Sequence, residues 1–433
     1  MRSVPAGTIA VLAAALIGGC GQPQTDKTVV AFWTTDHEQD RIETQRALAA
    51  DFMAVHTQIE VRVVGVPEND LPKRLAAHQA AGTLPDVVRM GLEYVSGYAD
   101  EGLLDTQAAT ETIERLGRDT FADGPLQLLR HSGGGYKAVP VDGWAQCLWY
   151  RRDWFEEAGL PPPTTWERIR AAAEHFHRPV EKSYGIVIGT DPQQVYTQQT
   201  FEHFALSAGL RLFAPDGSLD LPGDRLAETL TFYRELAAFG PPGNNNWREA
   251  RKYYLSGRAA MMFYSPYIVD DIAGFVEDAQ PVEDLARHTD FVSLIAHSDG
   301  VKAAYGQVVS LAVMTGKDPQ RREAAKTWVS FLLGEGYLTL CNMSPGGKVP
   351  VRHTIVDDWE EHAYFEYYPP GLARRLASAM DGIGRWGWRD GRQFPAITDV
   401  YARKIFPALI GDVMDGRLDP AAARARVAGD LDW

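Results

Sequence analysis

The chain has 433 residues, 45% of them hydrophobic and 11 of them Trp, enough to build the cores of two or three globular domains. Its formal charge of −14, with no basic stripe anywhere along it, excludes nucleic-acid binding as a function class. The three cysteines form no CxxC pair, so zinc-ribbon and dithiol redox chemistry have no support.

Met1-Arg2 is a short positive start, and residues 9–17 are an apolar run. That run falls short of the ~20 residues a membrane-spanning helix needs and has the size of a secretory core segment. It ends in Leu16-Ile17-Gly18-Gly19-Cys20, which resembles the lipobox of bacterial lipoproteins and implies a lipid on Cys20. An ordinary signal peptide with an incidental Cys is the competing reading. Residues 1–20 are thus expected to be a signal peptide and 21–27 a polar linker. With no later span apolar enough for a membrane, the lipid would be the one attachment.

The first mature segment alternates strands and helices: strand 28–34, a helix carrying Leu48, Phe52 and Val55, strand 59–66, helix 70–81 stopped by Gly82, and a strand beginning at Pro85. This order predicts βαβ units in a largely parallel α/β sheet, whose ligands lie beyond the carboxyl ends of the strands. An extended stretch over 136–142 and a strand over 147–151 follow. Thr164 and Glu167 then predict a capping box for the next helix. Residues 241–246 form a loop, 308–314 a strand and 319–333 a helix; the remainder reads mainly as helix, the last one starting at Asp419-Pro420. Cys147 and Cys341 are expected to be buried free thiols, although export would permit a disulfide.

Several blocks, in order, resemble the extracellular solute-binding proteins of ATP-driven (ABC-type) sugar importers, the maltodextrin-binding-like family. They are Leu84-Pro85-Asp86-Val87-Val88, residues 97–104, Tyr136 with Pro140 followed by Leu148-Trp149-Tyr150-Arg151-Arg152-Asp153-Trp154-Phe155, then Gly257-Arg258-Ala259-Ala260-Met261, and Gly346-Gly347-Lys348-Val349-Pro350-Val351. Tyr-Arg-Arg-Asp stands where the family has Tyr-Asn-Lys-Asp, and the tail around Trp386-Gly387-Trp388 has no clear counterpart. The resemblance implies a two-lobed periplasmic-binding-protein-like (type II) fold with a ligand cleft between lobes joined by crossover strands. Lobe one would hold residues 28–142 and 302–345, lobe two 143–301 and 346–433. It further implies a monomeric, extracytoplasmic, non-enzymatic receptor that closes around a solute and docks on membrane permease subunits, with no cofactor and no metal.

A sugar presents apolar C–H faces and a rim of hydroxyls, so its site needs flat rings and a few polar groups. The resemblance puts a stacking aromatic at Tyr267 and a hydroxyl ligand at Glu93. Trp144 lies at the crossover. Trp33, Tyr94, Tyr264, Trp386 and Trp388, with Trp247, fall at strand ends or in predicted loops; core packing is the competing reading for each Trp. Asp36 and Glu38 follow the first strand at the ligand edge, beside His37 and Asp40, and could equally be a solvated helix start. Arg89, Arg352 or Arg385 could serve a glycerol phosphate ester on the same scaffold. A secreted glycoside-cleaving enzyme, with two converging acids, is the alternative of a different class. The Gly382-Ile383-Gly384-Arg385-Trp386-Gly387 match to GxGxxG lacks the strand before and helix after that dinucleotide binding requires, and a loop carrying aromatics is expected instead. His175 and His177 are too badly phased on a helix to share a metal.

Overall fold

The computed structural model describes residues 27–278, 280–297, 302–389 and 391–431. The expected lipidation site at Cys20 and the linker up to residue 26 lie outside the described residues. Strand β1 (Thr28–Thr34) is followed by helix α1 (Gln39–Val55), β2 (Ile59–Gly65), helix α2 (Leu71–Ala80), β3 (Val87–Gly91) and helix α3 (Leu92–Asp100). The three strands pair in parallel in the order β2-β1-β3, as helix-linked crossovers require. Helix α1 turns Leu48, Ala49 and Phe52 onto the sheet, where Phe52 meets Trp328 of helix Pro319–Leu332 at 5.2 Å between ring centroids. This aromatic contact closes the core on one face of lobe one.

Strand β4 (Val139–Ala145) belongs to the same sheet, and after Gln146 alone the chain enters a second sheet as β5 (Cys147–Arg151). That four-stranded sheet has the order β6-β7-β5-β8, built from β6 (Tyr184–Val187), β7 (Ala259–Tyr264) and β8 (Thr289–Val292), and helix α4 (Val195–Ser207) packs beside it. Strand β9 (Ile295–Ala296) leads into β10 (Lys302–Val313), which returns to lobe one between β3 and β4. A third connection ends in β11 (Val349–Pro350), paired with β4. So the lobe-one sheet is parallel over β2-β1-β3, while β10, β4 and β11 are antiparallel additions made by the crossovers. Strand β11 lies in the lobe-one sheet although residues from 346 onward were expected in lobe two.

Several local expectations shift. The helix Trp166–Phe176 is capped by Thr165, whose side chain accepts from the Arg168 amide, and Thr164 instead accepts from the Arg168 guanidinium. Asp419 caps a short 3₁₀ turn ahead of helix Ala423–Asp430. The tail is less helical than its sequence suggests: Ile383–Gly384 forms β12 alongside β10, and β13 (Trp388–Arg389) pairs with β14 (Arg392–Gln393) as a hairpin.

Cys147 and Cys341 are both free and fully buried, and burial pushes both thiols well above their usual pKa. A thiol-specific colorimetric reagent should therefore leave Cys147 and Cys341 unmodified in the native protein and titrate both in denaturant. Rapid native modification would show that one of these cores opens.

Candidate functional site

The strand ends of lobe one meet lobe two at the β4–β5 and β10 crossovers, and two adjoining chambers open there, the first on the lobe-two side of the crossover and the second between the lobes. Gln146 donates its amide to the Tyr305 carbonyl at 2.8 Å, which pins the two crossover strands together. The first chamber, about 350 Å³, has Trp144, Tyr196, Trp247 and Tyr264 as its rings and Gln146, Gln193, Gln194 and Gln199 as its amides. The second, about 440 Å³, is walled by Glu93 and Tyr94 of lobe one and by Gln199, Trp388 and Tyr401 of lobe two, with Tyr305 and Gln307 of β10 between them. Val195 and Gln199, in the first turns of α4, line both. Recesses of 430 and 580 Å³ elsewhere lie entirely on lobe-two residues and touch no crossover.

Of the residues singled out in the sequence, Glu93, Tyr94, Trp144, Trp247, Tyr264, Arg385 and Trp388 line these chambers. Glu93 sits in the first turn of α3 and accepts a hydrogen bond from Gln307 Nε2 at 2.8 Å. Burial first, then the charge of Glu93, pushes the Tyr94 phenol up to about 12, so it remains a neutral donor at every physiological pH. Trp144 tilts against Tyr305, with ring centroids 5.7 Å apart. Trp388 lies under the Arg385 guanidinium at 4.7 Å.

Trp33, Trp386, Glu38, Tyr267 and Asp36 are placed elsewhere. Trp33 is buried edge-on to His78 within lobe one. Trp386 is 1% exposed and packs on Phe406 at 4.3 Å in the lobe-two core, because the chain turns inward there to bury its largest apolar ring. Glu38 is exposed at the start of α1 and pairs with Arg41. Tyr267, 38% exposed, lies flat on Gly347, where any Cβ would fall 1.9 Å from its ring. It borders the cleft floor without lining either chamber.

Asp36 is drawn into that floor. It is 3% exposed and binds Lys348 Nζ at 2.7 and 2.9 Å and Arg89 Nε at 3.3 Å, while Arg89 also binds Asp142 at 2.7 Å. Burial alone would raise the Asp36 pKa, but Arg89, Lys348 and Arg41 outweigh it and hold the carboxyl well below the usual carboxylate range. The remaining candidate anion binders are occupied too. Arg352 donates to the carbonyls of Leu333 and Leu116 and to Thr120. Arg385 binds Glu202 at 3.3 Å, Tyr401 Oη at 2.6 Å and Gln307 Oε1 at 2.8 Å.

Gln307 and Tyr401 carry no sequence signal of a site. Both reach the cleft through contacts across more than 70 residues of chain, Gln307 in its bond to Arg385 and Tyr401 in its bond to Glu202. The doubled glutamines Gln193-Gln194 and Gln198-Gln199 around a helix start were the one legible hint of an amide-rich wall.

Two α/β lobes, strands crossing between them and a solute-sized cleft at the crossover define a solute-binding protein of the periplasmic type. The chain belongs to the bacterial extracellular solute-binding protein family, whose model matches residues 35–338. It is 28% identical over 414 residues to YcjN of Escherichia coli (strain K12), whose name describes an ABC transporter periplasmic-binding protein, covering 95% of this chain and 93% of that one. It is 25% identical over 330 residues, 72% of each chain, to a mannitol-binding protein of Pseudomonas aeruginosa. Among solved structures, a cyclic α-maltosyl-1,6-maltose binding protein of Arthrobacter globiformis superposes with a TM-score of 0.72 at 20% identity, over 94% of this chain and 99% of that one. UgpB of Mycobacterium tuberculosis in complex with glycerophosphocholine superposes with a TM-score of 0.68 at 17% identity, over 93% and 97%.

Removing the Asp36 charge should leave Lys348 and Arg89 under-compensated. We expect Asp36→Asn to lose about 3–5 kcal/mol of unfolding free energy at neutral pH. The folded pKa is depressed, so the wild-type advantage is complete above the ordinary aspartate value of 3.8 and shrinks only as pH falls below it. Urea unfolding of both proteins from pH 8 to pH 3 measures the gap; a gap that closes already at pH 6 would contradict the ion cluster.

Proposed function

We propose that the protein is the lipid-anchored receptor of an ABC-type importer, capturing a neutral sugar or polyol in the interlobe cleft and delivering it to membrane permease subunits. One observation carries the choice of solute: the chambers present rings and amides, while the nearby cations are already neutralised by the protein's own groups. Trp144, Trp247 and Tyr264 offer flat apolar faces, and Gln146, Gln193 and Gln199 offer donors and acceptors for a rim of hydroxyls. A phosphate ester would need a free Arg or Lys, yet Arg89, Lys348 and Arg385 are each held by carboxylates. The glycerophosphodiester reading is therefore the weaker one, despite the shared fold of a glycerophosphocholine binder.

The same lining argues for binding over hydrolysis. A glycosidase places two carboxyl groups across the scissile bond, and among the residues lining the two chambers Glu93 is the one carboxylate. Relatives that match are named as binding proteins. In this reading lobe one comprises 28–142 and 302–345 with the short β11 strand added, lobe two comprises 143–301 and most of the tail, and the lobes close as rigid bodies about the crossovers. Cys20 carries the lipid and keeps the monomeric receptor at the outer face of the membrane.

The test is a titration of the soluble domain with mannitol, glucose, maltose, laminaribiose, glycerol 3-phosphate and glycerophosphocholine, followed by melting temperature and by analysis of the recovered solute. A sugar or polyol should give a saturable rise, about 2.7 kcal/mol of stabilisation at a hundredfold excess over Kd, and be recovered unchanged. Response to the phosphate esters alone, or released products, would overturn the reading. Trp144→Ala and Tyr264→Ala should each weaken that solute at least tenfold, ~1.4 kcal/mol, with little change in the melting temperature of the empty protein. Cys20→Ala should abolish incorporation of labelled palmitate and release the protein from membranes; retained label would remove the anchor.

A further inference from the structure

The tail segment that carries the unused glycine-rich motif connects the two lobes a further time. Ile383–Gly384 runs beside β10 at the crossover, and Gly306 has no room for a side chain there, since a Cβ would meet Ile383 at 2.5 Å. The chain then enters lobe two. Trp386 is buried against Phe201 and Phe406, Arg385 is tied to Glu202, Phe394 packs on Phe213, and Arg389 pairs with Asp220 at 3.0 Å. Between these anchors the β13–β14 hairpin projects back over lobe one. Its Gly391 lies against the Arg130 backbone, and its carbonyl accepts from Lys137 Nζ at 2.6 Å.

Lys137 is 4% exposed and has no carboxylate within ion-pair distance among the described residues. Its ammonium is held by the Gly391 carbonyl and by Ser96 Oγ at 3.0 Å, on α3 of lobe one. A buried charge with no carboxylate in contact is costly even with Asp100 acting on it at longer range, so each hydrogen bond to it matters more than one at the surface. Burial accordingly draws the Lys137 pKa down. When Gly391 moves off, Lys137 loses one of two protein partners and gains water. The contact is therefore firm when made and readily replaced by solvent when broken.

The hairpin also faces the solute. Trp388 and Gln393 wall the 440 Å³ chamber opposite Tyr94 and Glu93 of lobe one. We propose that this hairpin is a cleft wall shared by both lobes and latched to lobe one by Lys137, so that its seating closes one side of the chamber and its release accompanies lobe opening. The proposal rests on the reading that the lobes open and close around a solute.

Two variants unlatch the tip from opposite sides. Lys137→Ala removes the donor from lobe one. Gly391→Ala leaves lobe one intact but adds a Cβ 2.3 Å from the Arg130 carbonyl, at a residue whose φ of +77° already favours glycine. Amide hydrogen exchange on the solute-free protein should rise at least tenfold in residues 386–394 and 92–100 in both variants, with β5 and β7 unchanged. Small-angle scattering should show a larger radius of gyration than wild type for both. Lys137→Ala could loosen lobe one as a whole, and Gly391→Ala then decides. If Gly391→Ala leaves both exchange and radius of gyration at wild-type values, the latch is refuted. A solute panel without any binder would remove the proposed function and leave the exchange result standing.

Discussion

Two carboxylates and two cations, all buried, meet where β1, β3, β4 and the third crossover converge, and the arrangement of the junction depends on their balance. Asp36 comes from the turn after β1, Arg89 from β3, Asp142 from β4 and Lys348 from the residue before β11. None of these ions could be buried alone without a desolvation cost of several kcal/mol. Because each needs partners from a different segment, the cluster is satisfied only when all four segments are in register. An apolar cluster of equal volume could be as stable, but it would not specify which segment meets which. The position matters as well: the carboxyl ends of parallel strands are where solutes bind in such sheets. With its own cations paired there, the chambers are lined by rings, amides, Glu93 and the Glu202-bound Arg385.

A second polar chain runs from lobe two to lobe one through the crossover. Tyr401 and Arg385 both bind Glu202, Arg385 donates to Gln307 Oε1, and Gln307 Nε2 donates to Glu93. An amide side chain has one acceptor end and one donor end. With Arg385 claiming the oxygen, the nitrogen has to face α3, and Glu93 is held by a donor it cannot lose without leaving Arg385 short of a partner. Gln307 sits on β10, the strand common to both lobes, so the orientation of a lobe-one carboxylate is set from lobe two.

Much of the scaffold was legible because it is written in local pattern. The βαβ start, the Cys147–Arg151 strand and the Pro319–Leu332 helix follow from periodicity and breakers that act within a few residues. The antiparallel half of the lobe-one sheet was not, since β10 and β11 join it from more than 150 residues away. The site divides along the same line. Trp144 and Tyr264 line the first chamber from the ends of β4 and β7, whereas Trp386, two residues from the cleft-lining Trp388, turns into the core. Adjacent aromatics in a loop carry no sign of which ring goes inward. Arg385 illustrates the same limit for charge: in sequence it is a free cation, and in the fold Glu202, 183 residues earlier, neutralises it.

The glycines of the tail make the point from the backbone side. Their spacing imitates a phosphate-binding turn, yet here Gly382 and Gly387 answer a steric demand of the route between lobes, while a Cβ on Gly384 would meet nothing closer than Leu206 at 4.0 Å. A Cβ on Gly382 would strike Leu294 at 2.6 Å, and one on Gly387 would strike Ile397 at 2.4 Å. Neither residue has positive φ, so what they supply is closeness of approach rather than conformational freedom. That closeness lets the chain pass β10 and still return Trp388 to the chamber wall. A glycine pattern thus reports that the backbone must come near something; only the fold says whether that something is a ligand or the protein itself.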